Sequence, residues 1–341
     1  MKYSKKLAGA IAATIIGLIL AWLLLRFSVG SGNINQAISS ILDRITRADI
    51  LPLIGAFLLF LLSQVFRGFR WLFLSYGRKY RFSLSIAVTA IHIGLGHLLP
   101  FRLADVAFVG LFRHFGKVPV GHGAANVFFA KLLDLMAMGV VIGFAVAGGM
   151  GEMALFAPIL VLAGYLGIFF MFPVLKFAGK PVQWFLSRVL HVNRSHWFDD
   201  LLEASSVKGR KGRLASAFLV SILVWISKLL MFCFLLESLG ITGIPLWKVF
   251  LVSGVTNIIM ALPIHGLLSI GTVEAAWAAG FAMVGIEGLV SANMNIIELG
   301  FSVHIIWMLM AIILMIFAIP LLWYDSRIRG RVDEITRKEL I

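Results

Sequence analysis

Six ionisable residues lie in segments of this chain that are otherwise apolar, and their types and spacing suggest chemistry. Three are cations and three are anions: Arg102, Asp105, Lys131, Asp134, Lys228 and Glu274. An isolated charge at the centre of a membrane helix costs about 2.5–3.5 kcal/mol. We therefore expect these side chains to pair or to face water, as charges along a pathway for polar molecules or ions commonly do.

Sequence spacing suggests partners for these charges. Lys131 and Asp134 are three residues apart, so they share a helix face and can neutralise each other, and Arg102 and Asp105 have the same spacing. Lys228 has no acid three or four residues away, so we expect its partner, Glu274 or Asp134, to come from another helix. The alternative is structural: a charge pair that joins helices, or an arginine that reaches lipid phosphates at the interface.

Two proline-centred breaks interrupt the apolar segments. They read His97-Leu-Leu-Pro100-Phe-Arg102-Leu-Ala-Asp105 and Asn257-Ile-Ile-Met-Ala-Leu-Pro263-Ile-His265-Gly266. Backbone at membrane depth leaves the helix only where protein or a watery cavity satisfies its polar groups, so paired breaks predict a transport site. Gly266 and Gly271 flank the second break and suggest amides exposed to an anionic group. Close helix packing is their structural alternative.

Composition identifies a polytopic membrane protein. The 341 residues are 60% hydrophobic and 13% charged, with a mean hydropathy of +0.98, whereas soluble domains are about 45–50% apolar and about 25% charged. The net charge of +14 comes from basic residues beside the spans, which indicates membrane orientation rather than nucleic-acid binding. The distribution of these basic residues predicts that both termini lie in the cytoplasm, and the compact size favours a cell (inner) membrane. A single cysteine, Cys233, excludes an internal disulfide, and we expect no cofactor.

The hydropathy pattern predicts an all-α bundle that forms one integral membrane domain over residues 1–341. We expect six full spans, at 7–25, 50–74, 120–148, 154–175, 214–239 and 301–323. Two broken or re-entrant hairpins, at 83–115 and 245–286, are expected to enter from the cytoplasm and from the outside respectively. This pattern is typical of an inverted-topology repeat. Its predicted halves are 50–175 and 214–324, separated by a cytoplasmic amphipathic loop at 176–213.

Three motifs resemble the flippase-like membrane family of lysylphosphatidylglycerol synthase transmembrane regions, over about residues 6–323. They are Pro100-Phe-Arg102-Leu-Ala-Asp105, then Ala130-Lys131-Leu-Leu-Asp134, then Asn257 with Pro263, Gly266, Gly271 and Glu274. The chain departs from the family at Ala104-Asp105, where Gly-Glu is usual, and at Ala130-Lys131, where Glu-Arg is usual. In place of the family's Pro-x-x-Gly-Gly loop it has Pro263-Ile-His265-Gly266-Leu-Leu.

The resemblance implies that the chain moves or binds lipids with large polar heads, such as aminoacylated phospholipids and polyprenyl-linked or glycosylated lipids. The sequence holds no soluble aminoacyl-transfer domain of the kind that accompanies some members. We therefore do not expect it to synthesise an aminoacyl lipid.

Three functions compete: a lipid flippase or transporter, a lipid-linked intramembrane transferase, and an accessory protein that only binds lipid. We find no His-Glu-x-x-His, no Gly-x-Ser-x-Gly and no aspartate cluster, so an enzyme is not expected. We favour a transporter for lipids with anionic headgroups, in which the acids could carry protons. The histidines of the spans are individually uninformative. The predicted substrate-binding residues are Arg102, Asp105, Lys131, Asp134, Lys228, Asn257, His265, Gly266 and Glu274.

Overall fold

The protein is an all-helical bundle in its computed structural model, which describes residues 2–29, 33–75, 81–100, 102–150, 211–262, 265–285 and 295–339. This part of the chain has no strand, which confirms the predicted all-α class. The predicted span at 154–175, nearly all of the loop at 176–213, and Pro263 lie outside the described residues. The helices are α1 Lys2–Val29, α2 Ile34–Thr46, α3 Ile50–Leu74, α4 Phe82–Leu98, α5 Leu103–Gly116, α6 Val120–Met150, α7 Lys211–Ser238, α8 Leu246–Ala261, α9 Thr272–Met283 and α10 Ile296–Glu339.

Four helices in the described part are long and apolar enough to cross a membrane. They are Ile50–Leu74, Val120–Gly149, Gly212–Ser238 and Ile296–Tyr324. A helix rises about 1.5 Å per residue, so each can span a hydrocarbon layer about 30 Å thick. These helices match four of the predicted spans, and the first predicted span falls within α1.

Helices α3 and α7 form a closely packed antiparallel pair. At one end the Asp49 amide donates to the carbonyl of Ser238 over 2.8 Å, and towards the other end Arg70 donates to the Ser221 hydroxyl over 3.2 Å. A Cβ atom at Gly55 would lie 2.8 Å from the Phe234 ring, so this glycine lets the two helices approach closely.

The first broken hairpin is α4 and α5. Helix α4 begins beside the end of α3, where the rings of Phe82 and Phe69 stack 4.2 Å apart. Between α4 and α5, Arg102 adopts a left-handed conformation with φ 60°. Helix α5 returns to the start of α4, where Gly116 packs against Leu84, and α6 begins at this same end.

The second broken hairpin is α8 and α9, with a 3-10 turn at Leu267–Ser269 between them. Helix α8 begins beside the far end of α6, where Trp247 contacts Gly149. The two hairpins therefore enter from opposite ends of the bundle and their breaks meet, since Arg102 Nε donates to the Ala261 carbonyl over 3.1 Å. The division into repeat halves stays a prediction.

Helix α2 is an element that sequence analysis did not assign. The Asn33 side chain accepts the Asn35 amide over 3.0 Å, and Gln36 completes a capping box that starts the helix. Its Ile41 packs in a small cluster with Ala21 of α1 and Phe301 of α10. Helix α2 thereby ties α1 to α10 at this end of the bundle.

Candidate functional site

A cavity of about 700 Å³ lies where the first break, α6, α7 and α8 come together. Its lining includes seven of the nine predicted site residues: Arg102, Asp105, Lys131, Asp134, Lys228, Asn257 and His265. The charges that the sequence placed in separate helices therefore share one space. Gly266 and Glu274 do not line this cavity.

Asp134 is the most heavily bonded of the cavity's acids. Arg70 donates to its two carboxylate oxygens over 2.6 and 3.3 Å, and the Trp225 indole N–H donates over 3.0 Å. Arg67 lies 4.0 Å away. The predicted Lys131–Asp134 pair is wrong, because the planar guanidinium of the buried Arg70 holds both oxygens at once, which a lysine on the same helix cannot do.

Asp105 pairs with Lys131 and not with Arg102. Its Oδ1 lies 3.1 Å from Lys131 Nζ and 2.8 Å from His92 Nε2. Although Arg102 is three residues from Asp105, it precedes α5 in a left-handed conformation. The rule that residues three apart share a helix face therefore does not apply to it.

Lys228 is buried, and no carboxylate of the described residues forms an ion pair with it. Its ammonium group donates to the Asn257 side-chain oxygen and lies 5.1 Å from the Trp225 ring and 4.8 Å from the Trp307 ring. Neither predicted partner, Glu274 or Asp134, forms an ion pair with it in the described part of the chain. Two indole faces and one amide oxygen stabilise this cation instead.

Glu274 lies apart from the cavity and caps its own helix. One oxygen accepts the Gly271 amide over 2.7 Å, and the other lies 2.6 Å from His304 Nδ1. The expectation that the Gly271 amide faces an external anion is therefore wrong, because the protein's own carboxylate takes this donor. The partial positive charge of the helix N-terminus stabilises a carboxylate in the first turn, where Glu274 lies.

The cavity carries an excess of positive charge. Four cations line it, against two carboxylates. The charge of Asp134 is neutralised by Arg70, which does not line the cavity, and the charge of Asp105 is neutralised by Lys131. Lys228 and Arg102 are left without a carboxylate among the described residues, so the site is electrostatically suited to an anion.

One part of the cavity wall consists of apolar side chains that are exposed at the surface of the protein. Phe128 and Leu135 of α6 are 43% and 56% exposed, and Ile258 and Leu262 of α8 are 45% and 47% exposed. These four residues are called the apolar rim below. In a membrane such a rim faces hydrocarbon, so the charged interior is accessible from the lipid phase.

Sequence reasoning missed five side chains of this site: Arg67, Arg70, His92, Trp225 and Trp307. Arg70 is only 1% exposed although it lies near the end of an apolar helix. One signal was available. Ser63, Arg67 and Arg70 recur at helical spacing and mark one polar face on an apolar helix.

Together, fold and site define a polytopic helical membrane protein whose cavity gathers intramembrane charges beside two helix breaks. The model of the family described as lysylphosphatidylglycerol synthase TM region matches residues 9–294. The chain belongs to this family, and the match contains both breaks and every predicted site residue. It is thus a multi-pass membrane protein related to lipid modification or transport. Among curated proteins, none matches the chain.

Proposed function

We propose that this protein is a lipid flippase or transporter that binds an anionic headgroup in its charged cavity. One observation carries the proposal: a cavity with more cations than carboxylates is bounded by the apolar rim. A phosphate needs a hydrated, positively charged environment, whereas acyl chains are stable in the bilayer. The molecule that matches both surfaces is a lipid with an anionic head.

Lys228 and Arg102 are the proposed headgroup ligands. Lys228 is only 6% exposed, and its hydrogen-bond acceptor among the described residues is the neutral Asn257. Arg102 donates to a backbone carbonyl at the second break, so the same side chain can respond to a headgroup and to movement of α8. The acyl chains would pass along the rim between α6 and α8.

The two hairpins provide the proposed alternation. They enter from opposite ends and meet at the contact between Arg102 and Ala261. Rocking of one hairpin against the other would open the cavity to one leaflet and then to the other, as in transporters with broken helices. We propose a cell-membrane location with both termini cytoplasmic, which puts the first hairpin on the cytoplasmic side.

We further propose that the lipid leaves chemically unchanged. In support, both cavity carboxylates are held in charge-assisted contacts with Arg70 or Lys131, rather than free for acid–base work. The described residues contain no group of three metal-binding side chains. The two alternative functions are a lipid-linked transferase and an accessory protein that only binds lipid. The test below distinguishes both from a transporter.

The test uses purified protein in vesicles of phosphatidylethanolamine and phosphatidylglycerol with headgroup-labelled phosphatidylglycerol as the probe. We expect the protein to speed the crossing of the label between leaflets, and Lys228→Gln to abolish that increase. Lys248→Gln is the matched control, because Lys248 also lies over an indole, 5.7 Å from the Trp247 ring, but outside the cavity. Binding without crossing would contradict transport, and a modified headgroup would identify a transferase. Native mass spectrometry of copurified lipids would identify the natural substrate.

A further inference from the structure

Glu274 and His304 form a buried pair that the proposed headgroup site does not use. Both side chains are only 1% exposed, and Glu274 Oε1 lies 2.6 Å from His304 Nδ1. The cavity's acids are held by lysine or arginine, which remain charged at physiological pH. Asp105 also contacts a histidine, His92, over 2.8 Å, but it has Lys131 as a partner as well. Among the described residues, Glu274 has a histidine and neither a lysine nor an arginine as its partner, so one proton decides whether that pair carries a net charge or is neutral.

His97 of α4 connects this pair with the cavity. Its ring centroid lies 5.9 Å from that of His304, and the side chain lines the cavity although it is only 1% exposed. Within the described ranges, His97 Nδ1 and His304 Nε2 have no hydrogen-bond partner. Two unsatisfied ring nitrogens on neighbouring histidines are unusual in a protein interior and suggest a functional role.

Other elements packed around the pair supply few further charges. Lys228 of α7 lies beyond His97 and over the Trp307 ring. From the second break, His265 bonds Thr272 over 2.9 Å. On α10, Glu298 is held by the Ser40 hydroxyl over 2.6 Å. Helix α1 contacts the second break through backbone, at Gly17 and Ala21.

We propose that Glu274, His304 and His97 form a proton-binding site that couples the second break to the cavity. This inference rests on the proposed function for its role in transport, but proton binding itself does not. A proton enters from the cavity through His97 and binds Nε2 of His304. The Nδ1 proton of His304 then passes to Glu274 Oε1. A carboxylate and a neutral imidazole thereby become a carboxylic acid and the other imidazole tautomer, so the buried net charge changes from −1 to zero.

Proton uptake would act on the backbone through Gly271. The Gly271 amide donates to Glu274 Oε2 over 2.7 Å, and this bond fixes the start of α9. A hydrogen bond to an ionised acceptor is roughly twice as strong as a neutral one. Protonated Glu274 therefore holds the second break less tightly, which frees α9 to move relative to α8.

Infrared difference spectroscopy tests the site directly, in purified protein in the same vesicles between pH 9 and pH 5. We expect the carboxylic acid C=O band of Glu274 to appear as the pH falls and to be lost in Glu274→Gln, whose amide oxygen still accepts the Gly271 N–H. Glu298→Gln is the matched control and keeps the band. A Glu274→Gln spectrum identical to wild type overturns the proposal. If that variant does not fold, His304→Gln must shift the pH midpoint of the band, and an unchanged midpoint overturns the proposal.

The coupling has a separate test in the labelled phosphatidylglycerol assay. We expect the wild-type and Glu298→Gln rates to vary over this pH range and the Glu274→Gln rate to be flat. A wild-type rate that does not vary with pH overturns coupling. Lys228→Gln should lose translocation at every pH and keep the infrared band. Failure of the proposed function would thus remove lipid crossing and leave the band, whereas failure of this inference would remove the dependence of the band on Glu274.

Discussion

The two helix breaks share an architecture but differ in chemistry. The first break lies between Leu98 of α4 and Leu103 of α5, and the charged Arg102 and Asp105 line the cavity. The second lies between Ala261 of α8 and Thr272 of α9, and the cavity wall here includes the neutral Asn257 of α8 and His265 of the break. Its acid, Glu274, faces the protein interior and binds Gly271.

This difference indicates that the two breaks have different roles in the protein. An ion pair with Lys131 fixes Asp105 beside the first break, whereas Arg102 has no carboxylate partner among the described residues and adds positive charge to the cavity. Backbone contacts and one carboxylate fix the second break, so its conformation can change without disturbing the cavity's ion pairs. The predictions below test whether the first break depends on charge and the second on packing.

The largest effect is expected from Arg70→Met, which leaves Asp134 buried without its main partner. Removal of one member of a buried ion pair costs about 3–5 kcal/mol. The free energy of unfolding in detergent should fall by this amount, as measured by denaturant titration. The double variant Arg70→Met/Asp134→Leu should recover most of the loss. A single variant as stable as wild type would contradict the view that charge organises the cavity.

At the second break, Gly271→Ala should destabilise the protein by about 3 kcal/mol. Gly271 has φ +86°, and a Cβ atom there would collide with the Gly17 carbonyl. Gly240→Ala is the control, because Gly240 has φ +81° but open space around it, so only the conformational cost of about 1–2 kcal/mol applies. Thermal unfolding of both variants measures the difference. Equal losses would show that packing against α1 contributes nothing.

The smallest effect is expected from the Asp105–Lys131 pair. These side chains are 22% and 36% exposed, so a double-mutant cycle with Asp105→Asn and Lys131→Gln should give a coupling energy of about 0.5–1 kcal/mol. A cycle with Lys131→Gln and Asp134→Asn should give less. If this second coupling were the larger, Lys131 would pair with Asp134 in solution and the described geometry would be wrong.

The sequence predicted the fold because helix length and hydropathy are local properties, and so are the proline and glycine signals that end α4 and α8. Seven of the nine predicted site residues line the cavity, since a charge buried in an apolar segment has few other places to lie. Partners were not predictable. Arg70 and Asp134 are 64 positions apart, and which cation reaches an acid depends on how α3, α6 and α7 pack.

Glu274 illustrates a second limit. Its charge and its place after a proline made it resemble the cavity acids, but it lies three positions after Gly271. At that spacing a carboxylate can cap the helix in which it lies. Glu274 forms this local hydrogen bond and does not line the cavity.

The contact between α1 and the second break bears on how the protein is made. A Cβ atom at Gly17 would lie 2.7 Å from the Ile270 carbonyl oxygen, and the Leu267 amide donates to the Thr14 hydroxyl over 3.1 Å, across 253 positions. Because synthesis proceeds from the N-terminus, α1 enters the bilayer long before residues 267–271 leave the ribosome. The second break therefore reaches its final shape only after residues 267–271 have been synthesised and have packed against α1.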